Sequence, residues 1–398
     1  MTGWRQLSLA NAPIEIIDGD RGKNYPSQTD LLPEGYCLFL STKNVRATGF
    51  DFSECQFITK DKDYSLRKGK IQRNDVVLTT RGTVGNLALY NAKVQYENIR
   101  INSGMLILRP DTSEIDPFFN YYMMRALRPD FDTVVSGSAQ PQLPIKDLIF
   151  LEILLPTISE QKAIATVLSS LDDKIDLLHR QNATLEAMAE ALFRQWFVVE
   201  AQQEWEEKTI GDIFEIKGGT TPKTVVSEYW NGNIHWTSPR DLSAAKSIFM
   251  FETERTITEK GLSQISSGLL PTGTLLLSSR APIGYLAITS INVAINQGYI
   301  AILPDSTVGN YIMYLWCLHN MEEIKSSANG SVFQEISKYV FRRLSFTLPP
   351  NEIVDSFNKI VIPIFEAIKV NHIQIHTLEK FRDTLLPKLM SGEVRVEH

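Results

Sequence analysis

The chain has 398 residues, 43% of them hydrophobic and 22% charged, which is typical of a globular protein with two or three domains. Its longest apolar run is too short to cross a membrane, no signal peptide opens it, and its three cysteines form no disulfide or metal-binding pattern, so we expect it in the cytoplasm. The net charge of −6 gives no support to nucleic-acid binding by overall charge, although local basic loops can still bind DNA.

Residues 1–155 predict an α+β domain with a mainly antiparallel sheet. Short apolar runs bounded by glycine or polar residues are typical of strands. Such runs occur at residues 76–79, 86–90, 105–108 and 148–155, and a helical segment occurs at 118–127.

Basic residues crowd one stretch of this first domain, residues 60–73. The stretch contains Lys60, Lys62, Arg67, Lys68, Lys70 and Arg73 together with Asp61, Asp63 and Tyr64. Cations mixed with hydrogen-bonding side chains suit the phosphates and sugars of DNA. The alternative is a solvated hairpin without a ligand.

A long heptad helix follows in residues 156–204. Apolar residues from Ile164 to Trp196 recur at alternating steps of four and three, the spacing of a coiled-coil seam. The seam includes Leu171, Ile175, Leu178, Asn182 and Leu185. Asn182 either fixes the helix register or is one tolerated polar residue. We expect Asp172, Asp173 and Asp176 on a solvated face or on a surface where a partner docks.

The chain then repeats itself with a period near 195 residues. Residues 205–348 predict a second α+β domain, with strands at 274–277, 285–289, 299–303 and 344–348 and a helix at 311–326. Residues 349–398 repeat the seam 193 positions later, including Ile368, Asn371, Ile375 and Leu378. Pro363 either kinks this second helix or marks its start. Two such helices would most simply bury their seams against each other.

Two polar loops recur at equivalent places in both halves. Thr79–Gly85 and Ser278–Gly284 each follow a strand and place one arginine, Arg81 or Arg280, among small residues. These arginines either bind a guanine edge or a phosphate, or tie down their own turn. The loops at 137–140 and 330–334 also correspond, and their glutamines either read adenine or belong to a plain connection.

Two patterns in the sequence are candidates for a catalytic or a metal-binding site. Asp305 with Glu323 and Lys325 has the order of a magnesium-dependent nuclease motif, but the last two fall in a predicted helix. His372, His376 and Glu379 share a helix face, for which a solvated surface is the preferred interpretation. Nucleotide-binding glycine motifs are missing from the sequence. We therefore predict no catalytic and no metal-binding residue.

With the repeat, the helices and the loops in place, the chain resembles the specificity subunit of type I restriction–modification enzymes along essentially its whole length. The most specific pieces are Leu155–Pro156 followed by Ser159–Gln161, RGTVG at 81–85, and LLPKLMSGE at 385–393. The second half departs from the pattern, because Ala281–Ile283 replaces Gly-Thr-Val and residues 350–353 replace the S-E-Q signature.

The resemblance implies a non-catalytic protein with a pseudo-two-fold internal repeat. Two target-recognition domains, 1–155 and 205–348, would each read half of a bipartite double-stranded DNA target. Two conserved helices, 156–204 and 349–398, would form an antiparallel coiled coil that sets the spacer and docks two methyltransferase subunits, which restriction subunits join. S-adenosylmethionine, ATP and Mg²⁺ would bind those partners, so no cofactor is expected here.

The residues expected to contact DNA are basic or polar and lie in the loops: Arg21, Lys23, Lys43, Lys68, Lys70, Arg81, Thr83, Gln140, Lys223, Arg240, Ser279, Arg280 and Gln334. Two other functions stay open. A stand-alone nuclease would use Asp305, Glu323 and Lys325. A coiled-coil scaffold without a role at DNA would suit the acidic charge.

Overall fold

The computed structural model describes residues 3–137, 141–243, 247–305, 307–330 and 334–396. The chain divides into two compact units, Met1–Ile175 with Thr377–His398 (unit 1) and Asp176–His376 (unit 2). Each unit contains one globular segment and a part of each long helix. None of the helices in the described ranges is both long and apolar enough to span a membrane.

Unit 1 is built on two small sheets. Its strands are Arg5–Ser8 (β1), Ile14–Asp18 (β2), Cys37–Leu40 (β3), Val45–Arg46 (β4), Gly49–Phe50 (β5), Phe57–Ile58 (β6), Val76–Thr79 (β7), Leu87–Leu89 (β8), Ile99–Ile101 (β9), Met105–Pro110 (β10) and Glu152–Leu155 (β11). The order β2-β10-β7-β8 forms an antiparallel sheet, and β6-β3-β9 forms a mixed one in which β3 and β9 run parallel. Strand β1 pairs with β11.

All but the first of the unit 1 helices share an apolar core with the antiparallel sheet. The helices are Lys60–Ser65 (α1), Pro117–Ala126 (α2), Arg128–Val134 (α3), Ile145–Leu148 (α4) and the first part of Ile158–Arg194 (α5). Helix α2 starts sharply because the Asp116 carboxylate accepts hydrogen bonds from the backbone N–H groups of Phe118 and Phe119, and Pro117 suits the first helical position. Its buried face joins Val76 and Leu106 of the sheet in one apolar core.

Unit 2 has the same organisation. Its strands are Glu206–Thr209 (β12), Ile216–Lys217 (β13), Trp230–Thr237 (β14), Phe249–Met250 (β15), Arg255–Ile257 (β16), Leu275–Ser278 (β17), Leu286–Thr289 (β18), Val293–Ile295 (β19), Tyr299–Ile302 (β20) and Ser345–Leu348 (β21). Its helices are Ile210–Ile213 (α6), Pro239–Ser243 (α7), Glu259–Leu262 (α8), Asn310–His319 (α9), Met321–Ser326 (α10), Lys338–Arg342 (α11) and most of Asn351–Ser391 (α12).

The strand orders confirm the predicted repeat and the α+β class. In unit 2, β13-β20-β17-β18 matches the antiparallel sheet of unit 1, with β15 added in parallel at its edge. The second sheet, β16-β14-β19, again has one antiparallel and one parallel pair. Strand β12 pairs with β21 as β1 pairs with β11. The same frame is therefore made twice from divergent sequences.

The two long helices pair with opposite chain directions within each unit, as predicted. In unit 1 the side chains of Asp172 and Arg382 pair, and Leu168 shares a core with Leu386 and Leu389. In unit 2 Asn371 contacts Asn182, and Phe357 stacks edge-on against Trp196. The predicted seam residues Ile175, Leu178, Asn182, Ile368 and Ile375 are buried, while Leu171, Leu185, Asn371 and Leu378 are partly buried.

Several local predictions need correction. Pro363 lies inside α12 and does not mark its start. The helix predicted at 311–326 breaks at Asn320, whose side chain donates to the carbonyl of Trp316. The closing strand of unit 1 begins only at Glu152, since α4 precedes it. Residues 60–73 are not a hairpin, because Thr59 caps α1 there.

The prediction of a solvated surface is also partly wrong for two helix faces. His372 is 8% exposed and packs inside unit 2, although His376 is exposed. Asp172 accepts hydrogen bonds from Tyr122, Arg125 and Arg382 inside unit 1. These residues flank the seam, so they lie within the wider apolar stripe by which a helix packs on a domain.

Candidate nucleic-acid interface

Four loops of unit 1 that are distant in sequence meet at one place. The N–H of Thr80 donates to the carbonyl of Gly104 at 2.8 Å, and the N–H of Leu143 donates to the carbonyl of Thr80 at 3.0 Å. The N–H of Asn102 donates to Leu40, and the Thr83 hydroxyl donates to the carbonyl of Thr42 at 3.4 Å. The turns at 41–44, 80–85 and 102–104 and the segments 136–137 and 141–143 therefore form one surface, which we call the turn cluster of unit 1.

Unit 2 builds the same surface from the corresponding loops. The N–H of Ser279 donates to Gly298 at 2.8 Å, and the N–H of Ile336 donates to the carbonyl of Ser279 at 3.0 Å. The N–H of Asn296 donates to the carbonyl of Thr237 at 3.1 Å. This is the turn cluster of unit 2. It brings together one member of each loop pair that the sequence repeat singled out, the turn at 279–284 and the described segment at 334–336 of the second loop.

A glycine lets a further basic loop approach each cluster closely. A Cβ on Gly19 would overlap the carbonyl of Asn102, and one on Gly219 would overlap the carbonyl of Ile295. Only glycine therefore fits at these two places. The loops that follow carry Arg21 and Lys23 in unit 1 and Lys223 in unit 2.

Hydrogen bonds hold these basic loops in place. In unit 1 the Arg21 guanidinium donates to the carbonyl of Ser103 at 3.3 Å and pairs with Asp18 at 3.2 Å. In unit 2 the Thr221 hydroxyl donates to the side chain of Gln297 at 2.7 Å. Each turn cluster is thus widened by one further segment that carries positive charge.

Most of the predicted DNA-contacting residues are exposed on or beside these clusters. The exposed ones are Arg21, Lys23, Lys43, Lys68, Arg81, Thr83, Lys223, Arg240 and Gln334. Arg240 lies 3.7 Å from Glu254, an ion pair too exposed to hold it firmly. Gln140 lies outside the described residues. The role of all these residues at DNA stays a prediction.

Two predicted residues lie in surroundings that do not suit a direct contact. Lys70 donates at 2.7 Å to Asp63, which is fully buried. Burial works to raise the pKa of Asp63, but hydrogen bonds from Lys70 and Arg100 outweigh it and hold that pKa below its usual value. Ser279 is 3% exposed, so its side chain lies beneath the surface of the turn and not on it.

An aromatic and cationic patch near α1 was only partly anticipated. The rings of Tyr36 and Tyr64 lie 6.5 Å apart and are exposed, and the ammonium groups of Lys60 and Lys70 lie within about 6 Å of both rings. The sequence pointed to the lysines and Tyr64. Tyr36 was missed because it precedes the basic stretch by more than 20 residues.

The residues facing the two turn arginines were also missed. The backbone of Arg81 bridges to Gln142, and the backbone of Arg280 bridges to Glu335. A signal was available, since Gln142 and Glu335 are 193 positions apart, the offset of the heptad repeat. The predicted polar loops end at residues 140 and 334, which is two residues before Gln142 and one residue before Glu335.

The nuclease hypothesis gains no support from the geometry. The Asp305 carboxylate accepts from the backbone N–H groups of Thr307 and Val308, both at 2.8 Å, and so closes a turn. Lys325 pairs with Glu322, its neighbour on α10. Within the described ranges, no group of three histidine, cysteine or acidic residues is placed to hold a metal ion.

Comparison with known proteins identifies the class of this duplicated architecture. Residues 15–187 and 202–381 each match the family model described as the type I restriction modification DNA specificity domain. The two matches cover most of the chain. The chain therefore belongs to this family.

Individual relatives agree with the family. The chain is 38% identical over 165 residues to the type I restriction enzyme MjaIX specificity subunit of Methanocaldococcus jannaschii, a match that covers 41% of this chain and only 38% of that protein. It is 21% identical to the HindI specificity subunit of Haemophilus influenzae over 99% of this chain and 100% of the relative. The crystal structure of the type I restriction-modification S subunit from M. genitalium shares the fold, with a TM-score of 0.61 at 19% identity, covering 98% and 96% of the two chains.

Proposed function

We propose that this chain is the DNA sequence-specificity subunit of a type I restriction–modification complex and has no catalytic role of its own. Each unit reads one half of a bipartite double-stranded DNA target through its turn cluster. The observation that carries the proposal is the repetition of the cluster: the same loops converge in both units, and each presents exposed cations. Cations on surface turns suit phosphates and base edges.

The division of the chain follows from this proposal. Residues 1–155 and 205–348 serve as target-recognition domains, and residues 156–204 and 349–398 serve as the conserved helices. The helices set the spacer between the half-sites and dock two methyltransferase subunits, which restriction subunits join. Apolar side chains left exposed on α5 and α12, among them Leu177, Met188, Val370 and Phe381, are available for such docking.

The chemistry belongs to the partner subunits in this proposal. S-adenosylmethionine, ATP and Mg²⁺ bind there, and this chain contributes target selection and geometry. Because the target is chromosomal or invading DNA, we place the complex in the cytoplasm. The family membership supports this function over a stand-alone nuclease and over a scaffold without a role at DNA.

The test is co-expression of the chain with a type I methyltransferase subunit from the same genome, followed by genome-wide mapping of methylated adenines. We expect a two-part motif with a gap of constant length. Omission of this chain is the control and should abolish the methylation. A stable complex that adds no methylation to the genome would contradict the proposal and favour the scaffold.

A further inference from the structure

The two turn clusters share the backbone contacts around their arginines but differ in the charge of the residue opposite each arginine. In both units the carbonyl of the residue after the strand, Thr80 or Ser279, accepts a backbone hydrogen bond of 3.0 Å from the end of the polar loop. The backbone of the arginine that follows forms a β-bridge to the same segment. The residue opposite Arg81 is the neutral Gln142. The residue opposite Arg280 is the acidic Glu335.

This difference changes the state of the two arginines. The Arg280 guanidinium lies 3.5 Å from the Glu335 carboxylate, with side-chain exposures of 40% and 45%. Arg81 is exposed, and its guanidinium makes no ion pair with any residue in the described part of the chain. One turn thus presents a free cation, while its counterpart presents a cation already neutralised by its own chain.

An exposed ion pair is weak, so it restrains Arg280 without removing it from the surface. Pairs of this exposure shift an equilibrium by at most about five-fold, whereas a bidentate arginine contact to guanine or phosphate shifts it by more. DNA can therefore displace Glu335 from Arg280, but the ion pair between these two residues is then lost.

We propose that the position shared by Gln142 and Glu335 sets how strongly each turn arginine binds DNA, with Glu335 acting as an internal competitor for Arg280. The inference rests on the proposed function, because it presumes that the turn clusters meet DNA. Glu335 is a positioning residue, and Arg280 is the group that touches the ligand. The half-site bound by unit 1 consequently depends more on its turn arginine than the half-site bound by unit 2.

The experiment exchanges the two opposing residues. Purified full-length chain, alone and in complex with its methyltransferase partner, is titrated against a fluorescent duplex carrying the mapped motif, with a scrambled duplex as reference. We expect E335Q to lower the Kd by about two- to five-fold, the fold-change that corresponds to an exposed ion pair. Q142E should raise the Kd by a similar factor. Thermal unfolding of both variants is the control that tests whether these isosteric exchanges leave the fold intact.

A double-mutant cycle separates competition from general charge repulsion. In an R280A background, E335Q should have no further effect on the Kd if Glu335 acts through Arg280. An undiminished effect of E335Q in that background would overturn the inference, as would an unchanged Kd for E335Q alone while the wild-type chain prefers the mapped duplex. Failure of the wild-type chain to prefer that duplex would instead count against the proposed function.

Discussion

The side chain of Asn371 donates a hydrogen bond of 2.8 Å to the side-chain oxygen of Asn182. Both residues occupy seam positions in unit 2, and Asn182 is only 3% exposed. The two polar residues that interrupt the heptads are therefore partners. A pair of this kind favours one register of the two helices, because a shift would leave the buried side-chain oxygen of Asn182 without a partner, as its NH₂ group already is.

The first prediction concerns this pair. Asn371→Leu should lower the free energy of unfolding by about 1–3 kcal/mol, because it removes the donor to the buried side-chain oxygen of Asn182, whose NH₂ group already has no partner. The double variant Asn182→Leu with Asn371→Leu should recover most of that loss, since no buried amide remains. Urea unfolding of the full chain measures the coupling. Strictly additive losses would show that the two amides act independently.

The second prediction concerns pH. The pKa of His372 is lowered to about 4, first by burial, which disfavours the charged ring, and second by the proximity of His179. The unfolded state binds a proton near pH 6.5 and the folded state only near pH 4. The associated stability is thus fully present above pH 6.5 and is lost as the pH falls towards 4, by about 3 kcal/mol in total.

His372→Leu should remove this part of the pH dependence. The difference in unfolding free energy between pH 7 and pH 5, measured by urea unfolding, should become smaller in this variant than in the wild-type chain. His376→Leu is the matched control, because His376 is one turn away and exposed. An equal pH dependence in all three proteins would show that His372 does not titrate in this way.

The third prediction concerns Asp172, which the sequence suggested as a solvated residue. Its carboxylate accepts from Tyr122 at 2.7 Å and from Arg382 at 2.7 Å, and Arg382 is 13% exposed. Asp172→Ala should destabilise the chain by about 2 kcal/mol, because it leaves a mostly buried guanidinium with fewer partners. The control is Asp173→Ala, whose exposed pair with Lys93 should contribute less than about 0.5 kcal/mol. Equal effects of both substitutions would contradict this account.

The fourth prediction concerns the spacer. Removal of one heptad from each of α5 and α12 keeps the seam in phase but shortens the helices by about 10 Å. The gap in the methylated motif should then shorten by up to about three base pairs, at roughly 3.4 Å each, while the half-sites stay unchanged. Methylation mapping is the measurement. Altered half-sites with an unaltered gap would show that the helices do not set the spacer.

The long helices were predictable because their apolar residues recur with one regular spacing, and the central strands because they are short apolar runs bounded by polar residues. The four-and-three spacing runs without interruption through α5, and β7 is a fully buried apolar run between polar ends. By contrast, β4, β5 and β6 have two residues each, too few for any alternation to be visible. His372 was misplaced because a helix packed on a domain buries a stripe wider than its seam.

The candidate site was predictable in its parts but not in its assembly. The repeat drew attention to Arg81 and Arg280, and to the glutamine loops, since it preserves them against a divergent background. In unit 1 the arginine turn meets the glutamine loop through a backbone hydrogen bond from the N–H of Leu143 to the carbonyl of Thr80, residues more than 60 positions apart. No local pattern records such a pairing. The repeat offset related Glu335 to Gln142, but the ion pair between Glu335 and Arg280 became visible only in the folded chain.

The most direct test of the central claim is methylation mapping of chains altered in one turn cluster at a time. Lys43→Ala with Arg81→Ala changes unit 1 only, and Lys223→Ala with Arg240→Ala changes unit 2 only. We predict that the first pair relaxes or weakens recognition of one half-site and the second pair that of the other, with the gap unchanged in both. If either pair altered both half-sites together, the assignment of one half-site to each unit would be contradicted.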